Sequence, residues 1–96
     1  MVKVIEYDKD KNEKLLAERG ICFDDIIPLL QMGDVIDDIS HPDKKKYPKQ
    51  RIFFIECKGY IYAVPYVDER KRIFLKTIYP SRKAKKKYIG ERDEKE

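Results

Sequence analysis

Arg51-Ile52-Phe53-Phe54-Ile55-Glu56-Cys57-Lys58-Gly59-Tyr60-Ile61-Tyr62-Ala63-Val64-Pro65-Tyr66-Val67 decides the fold. Two runs rich in Ile, Val, Phe and Tyr, the residues that suit a pleated and half-buried surface, flank a two-residue Lys-Gly turn. Gly59 supplies the positive φ that a tight hairpin needs. A third run, Ile73 to Tyr79, follows across the polar turn Asp68 to Arg72, so three consecutive antiparallel strands are expected. Pro65 has no N–H for a ladder, which predicts an edge position or a bulge. Even spacing predicts that Tyr60, Tyr62 and Tyr66 share one face of their strand, and that Phe74, Lys76 and Ile78 share one face of the last.

Upstream the pattern turns helical. Asp8 is a candidate N-cap for a helix over Lys9 to Arg19, with Gly20 as its stop. That helix has few apolar positions and reads as mostly wet. Phe23-Asp24-Asp25 opens a second helix with an apolar stripe of Ile26, Ile27, Leu29 and Leu30, Pro28 expected near its first turn and Gly33 at its end. Val2 to Tyr7 and Val35 to Ile39 are short strand candidates. The expected fold is α+β: two N-terminal helices on an antiparallel sheet of three to four strands, then a short basic C-terminal helix. Residues 1–90 read as one domain and 91–96 as a charged tail.

Charged residues make up 42% of the 96, and so do apolar ones, which are clustered as an ordered core requires. The formal net charge of +4 hides a strong asymmetry. The first 38 residues are acid-rich, whereas Lys44 to Arg51 and Arg82 to Lys87 are cationic blocks suited to a polyanion. Cys22 and Cys57 have no metal-ligand spacing and read as two small buried thiols. There is no leader-like apolar segment after Met1 and no membrane-length apolar run, which predicts a soluble, cytoplasmic chain.

High-specificity enzyme motifs are absent: no Gly-rich phosphate loop, no His-Glu-x-x-His, no nucleophile elbow at Ser40 or Ser81. His41, in a loop before Pro42, reads as structural or exposed, though histidine can also donate a proton near neutral pH. The adjacent acids of Asp24-Asp25 and Asp37-Asp38 diverge on any regular element, and Asp24 reads as a helix-start partner. Tyrosines beside Arg and Lys on a sheet suit single-stranded RNA, with bases stacked and phosphates gripped. Equally, a tyrosine stripe can be a half-buried sheet face, and lysines can simply solvate a helix.

The order of features resembles the BrnT-type toxins of bacterial type II toxin–antitoxin systems, which have a RelE-like ribonuclease fold. The matching pieces are Ile5-Glu6-Tyr7-Asp8 with Lys11-Asn12, Arg19-Gly20-Ile21-Cys22-Phe23-Asp24-Asp25, Arg51 at a strand start, Ala63-Val64-Pro65-Tyr66, and Ile73 to Ala84 with its Arg-x-Ala. Where that family carries a Glu six residues after this Arg, the chain has Tyr88. Its early tryptophan is Tyr7 here, and its Ser-Ala before the Arg reads Pro80-Ser81. The resemblance implies an mRNA-cleaving toxin without a metal or other cofactor, neutralised by a cognate antitoxin and paired with it as a hetero-oligomer. The chemistry implied is attack of a ribose 2′-hydroxyl on the neighbouring phosphate. It implies Arg51 and Arg82 for phosphate stabilisation, Tyr66 for orientation or proton donation, and Lys76 or Lys83 as base or second cation. Lys83, Lys86, Lys87 and Tyr62 are the implied RNA contacts. Against this stand a non-catalytic RNA-binding module and a protein-interaction module with a basic face.

Overall fold

A computed structural model describes residues 4–87. The elements are β1 (Val4–Tyr7), α1 (Lys9–Arg19), α2 (Phe23–Gln31), β2 (Asp37–Ser40), β3 (Gln50–Cys57), β4 (Tyr60–Asp68), β5 (Arg72–Leu75), β6 (Tyr79–Pro80) and α3 (Arg82–Lys85). The charged tail 91–96 and Tyr88 lie outside the described residues. The α+β class is as expected, but the sheet is larger and mixed. Its order is β1-β5-β4-β3-β2, with β6 also paired to β4. All the neighbouring pairs are antiparallel except β1 with β5, which is parallel. The N-terminal run thus crosses the molecule to extend the far edge, a pairing that no local pattern encodes.

The local signals hold. Lys58 and Gly59 both take positive φ, 57° and 79°, and close the β3–β4 hairpin. The Asp8 carboxylate accepts from the backbone N–H of Asp10 and Lys11, capping α1, and Gly20 ends that helix at φ 69°. At α2 the Asp25 carboxylate accepts from the Cys22 N–H at 3.1 Å. Pro28 lies inside α2, beyond the first turn where it was expected. Its ring therefore removes an internal bond, in a helix that packing rather than propensity must hold.

Leu15, Ile21, Phe23 and Ile26 bury against Phe53, Ile55, Val64, Tyr66, Leu75 and Ile78 of the sheet region. Burial of each large apolar side chain contributes about 1.5–3 kcal/mol, so this layer dominates stability. A polar tie locks the helices to β1: Tyr7 donates to Asp24 at 2.9 Å, while Asn12 accepts the Phe23 N–H at 2.7 Å. Tyr7 also packs on Phe23, ring centroids 5.0 Å apart. On the opposite face Ala84 buries α3 over the sheet, beside a groove lined by Ile39, Ile52 and Phe54. The basic helix therefore covers the second face of the sheet.

The expected last strand is broken. Leu75 pairs with Tyr66 and Tyr79 with Ala63, so Lys76, Thr77 and Ile78 stand against only Val64 and Pro65. This is a β-bulge. β4 is central in the sheet, and its proline sits opposite the extra residue, where an N–H is not needed; the Pro65 carbonyl still accepts from Lys76 at 2.8 Å. The bulge also shifts side-chain alternation. Ile78 turns into the helix-covered core at 0% exposure, and the shared face expected for Phe74, Lys76 and Ile78 is lost.

Candidate nucleic-acid interface

Alternation places the candidate residues on two faces at one end of the sheet. On the helix-covered face Ser40, Arg51 and Tyr66 stand in register across β2, β3 and β4. Asp38 sits one pleat away and holds both larger side chains. The Arg51 Nε donates to its carboxylate at 3.1 Å, and Arg51 also donates to the Asp38 carbonyl at 3.0 Å. The Tyr66 hydroxyl lies 2.8 and 2.9 Å from the two carboxylate oxygens, so its single proton is shared between them. The Tyr66 ring is 3% exposed and stacks on Phe53 at 3.9 Å. Burial first, then the hydrogen bond to Asp38, pushes its phenol well above the usual tyrosine range. Bonding to Tyr66 and Asp38 likewise raises the Arg51 guanidinium, which stays charged. This triad is satisfied from within the protein. Tyr62 shares the Tyr66 face, half-buried, with its ring tilted against Tyr60 at 5.7 Å.

The other face is covered by α3 along part of its length and open at the bulge. Around the bulge a depression of about 360 Å3 is lined by His41, Tyr47, Gln50, Pro65, Lys76, Thr77 and Tyr79. Lys76 is exposed, its ammonium 5.4 Å from the centre of the Phe74 ring. The guanidinium of Arg72 lies 5.3 Å from the same ring, so Phe74 carries two cations. His41 and Tyr47 pack their rings at 4.5 Å. The Asp43 N–H donates to His41 Nδ1 at 3.1 Å, so in the neutral ring the proton sits on Nε2.

The depression continues in two directions. Toward the loop it shares His41, Tyr47 and Gln50 with a hollow of about 400 Å3 that adds Lys44, Lys49 and Arg51. Toward α3 it shares Tyr79 with the groove of about 260 Å3 that adds Ser81, Lys83 and Lys87. Ser81 caps α3 by accepting the Ala84 N–H at 3.1 Å. Arg82 and Lys83 on this short helix, and Lys86 and Lys87 just after it, are exposed, and Lys85 lies 4.5 Å from the Tyr60 ring centre. A larger hollow of about 430 Å3 lies elsewhere, at Leu29, Gly33, Asp34, Val35, Ile36 and Glu56. Its charged residues are acidic, which disfavours a phosphate.

Of the eight residues singled out in the sequence, Lys76, Arg82, Lys83, Lys86 and Lys87 thus belong to the α3 side. Tyr66 and Tyr62 belong to the other, and Arg51 reaches the loop-side hollow from its pairing with Asp38. Tyr47 and Tyr79 were passed over, although each adjoins a cationic block and a proline, a pairing of aromatic and charge that could have marked them. Asp38 gave no such signal, because its partners are 13 and 28 residues away. Among the described residues no group of three His, Cys, Asp or Glu side chains converges as metal ligands. Cys22 and Cys57 are free thiols, buried and half-buried, and burial pushes Cys57 up, away from a reactive thiolate. No helix among the described residues is long and apolar enough to cross a membrane. No family model, curated relative or solved structure matches the chain.

Proposed function

We propose that this chain is a toxin-type endoribonuclease of RelE-like fold, which holds single-stranded RNA along the α3 face and is silenced by a cognate antitoxin. One observation carries the reading: the cations Lys44, Lys49, Lys76, Lys83 and Lys87 and the aromatics Tyr47 and Tyr79 line three adjoining depressions that run from α3 past the bulge to the loop end of the sheet. Lysines neutralise phosphates and release their counterions, and exposed rings accept bases of any identity by stacking. In the cleavage reaction the 2′-oxygen bonds to phosphorus, the bond to the 5′-oxygen breaks, and a 2′,3′-cyclic phosphate and a 5′-hydroxyl remain. Lys76 and Arg82 are the cations we assign to the developing phosphorane charge. Asp38, Arg51 and Tyr66 then act as a brace that fixes the β2–β3 end of the site.

The triad's internal saturation also favours a second reading, a non-catalytic RNA-binding module, since Arg51 and Tyr66 are already committed to Asp38. Expression of the chain alone separates the two. A ribonuclease toxin arrests growth and leaves RNA fragments with cyclic phosphate ends, and Arg82→Ala relieves both effects. Intact RNA and normal growth, with salt-dependent RNA binding retained, would establish the binding module instead.

A further inference from the structure

The bulge concentrates groups that a bare phosphate grip does not need. Tyr79 is 37% exposed although it follows the fully buried Ile78 directly, because the shifted alternation turns it out to the open face. Across the depression the Tyr47 ring is held against His41, and the Asp43 N–H fixes the orientation of the His41 ring. That contact occupies Nδ1, so the neutral ring offers an Nε2–H donor and no ring acceptor. Gln50 adds an amide with one donor group and one acceptor, and Thr77 a hydroxyl. Lys76 supplies one cation at the rim. Three rings and several hydrogen-bonding groups, with Lys76 at the rim and the Lys46 ammonium 5.5 Å from the Tyr47 ring centre, match a nucleotide unit better than a row of phosphates.

We propose that this depression is a nucleobase subsite: it takes one unstacked base of single-stranded RNA against Tyr79 and the Tyr47–His41 pair, its edge toward Gln50 and Thr77, its phosphate on Lys76. The assignment rests on the RNA-binding reading given above and deepens it. It predicts that affinity depends on bases as well as on charge. Stacking on a single aromatic changes affinity by about 10-fold, which sets the size of the effect.

The test compares a uridine decamer with a fully abasic ribose-phosphate chain of the same length, using the full chain at fixed salt. The wild-type protein binds the uridine decamer about 10-fold more tightly, and Tyr79→Ala and Tyr47→Ala abolish that preference without changing affinity for the abasic chain. Tyr79→Phe keeps the ring and keeps the preference, which separates stacking from a folding defect. Equal wild-type binding of both chains, with strong salt dependence, overturns the subsite and leaves RNA binding standing. Failure to bind either chain overturns the RNA-binding reading and the subsite with it.

Discussion

The two faces of the sheet at the Arg51 end carry similar chemistry and are wired in opposite ways. On the helix-covered face an arginine, a tyrosine and an aspartate satisfy one another. On the α3 face Lys76 and Tyr79 stand exposed around the bulge, with Tyr47 half-buried beside them. A buried hydroxyl without a partner is costly, so a tyrosine turned toward the core must find an acceptor and gives up its availability to a ligand. An exposed tyrosine carries no such demand. The comparison separates residues that hold the protein together from residues that can meet a partner, although both sets read as Arg, Lys and Tyr in the sequence.

The strongest way to break this division is to strip the open face. Lys76, Arg82 and Lys83 replaced together by Ala remove three phosphate contacts. Each contact enters the salt dependence of a single strand with a slope of about −0.7, so RNA affinity at 0.1 M salt falls about 100-fold and the slope flattens by about 2. Fluorescence anisotropy titrations across a salt series check this, and the unfolding free energy from urea titration stays within about 0.5 kcal/mol of wild type. A variant that unfolds while binding normally would reverse the assignment of the two faces.

Asp38→Ala tests the closed face. It leaves the Tyr66 hydroxyl buried without its acceptor, while Arg51 keeps its bond to the residue 38 backbone carbonyl. The ion pair is itself part-exposed, at 37% and 38% for the two side chains, so most of the loss comes from the tyrosine. Stability should fall by about 2 kcal/mol in urea unfolding, with RNA affinity changed by less than about threefold.

Tyr66→Phe sharpens the same point through pH. The native fold holds this phenol neutral, so the raised folded-state value contributes stability that is complete below about pH 10, where an unfolded tyrosine is also protonated. As pH rises above that, the unfolded chain loses its proton first and the stabilisation is lost. Tyr66→Phe should cost about 1.5 kcal/mol at pH 7 and show a shallower decline between pH 10 and 11. Tyr7, raised chiefly by its bond to Asp24, adds to the wild-type slope and remains in the variant. An unchanged alkaline slope would contradict a buried Tyr66 phenol held neutral in the fold.

The smallest effect is expected at Tyr62. Its ring is half-buried on the closed face against Tyr60, so Tyr62→Ala should change RNA affinity by less than about twofold in the same anisotropy assay. A tenfold loss would move the RNA track to that face.

What the sequence made legible was local. Lys58-Gly59, Asp8 and Gly20 act within a few residues, and the strand runs around them declare themselves by composition. The pairing of Tyr60, Tyr62 and Tyr66 on one face followed from period-two alternation. Which face the helices would cover did not, because it depends on the apolar residues of α1 and α2 meeting Phe53 and Val64. The parallel β1–β5 pairing joins Ile5 to Ile73, a long-range contact with no local signature. Pro65 announced an irregularity, yet its consequence appeared on the neighbouring strand, where one extra residue reversed the facing of Ile78 and Tyr79. Arg51 and Tyr66 were singled out for separate roles at a phosphate, whereas the carboxylate that claims both was hidden in the weak strand Asp37–Ser40.

Photo-crosslinking tests the central claim most directly. A short single-stranded RNA carrying 4-thiouridine, bound to the wild-type protein and irradiated, reports which side chains touch its bases. Crosslinks at Tyr47 and Tyr79, with none at Tyr62 or Tyr66, are the result predicted for RNA held on the α3 face. Crosslinks confined to Tyr62 and Tyr66 would contradict it.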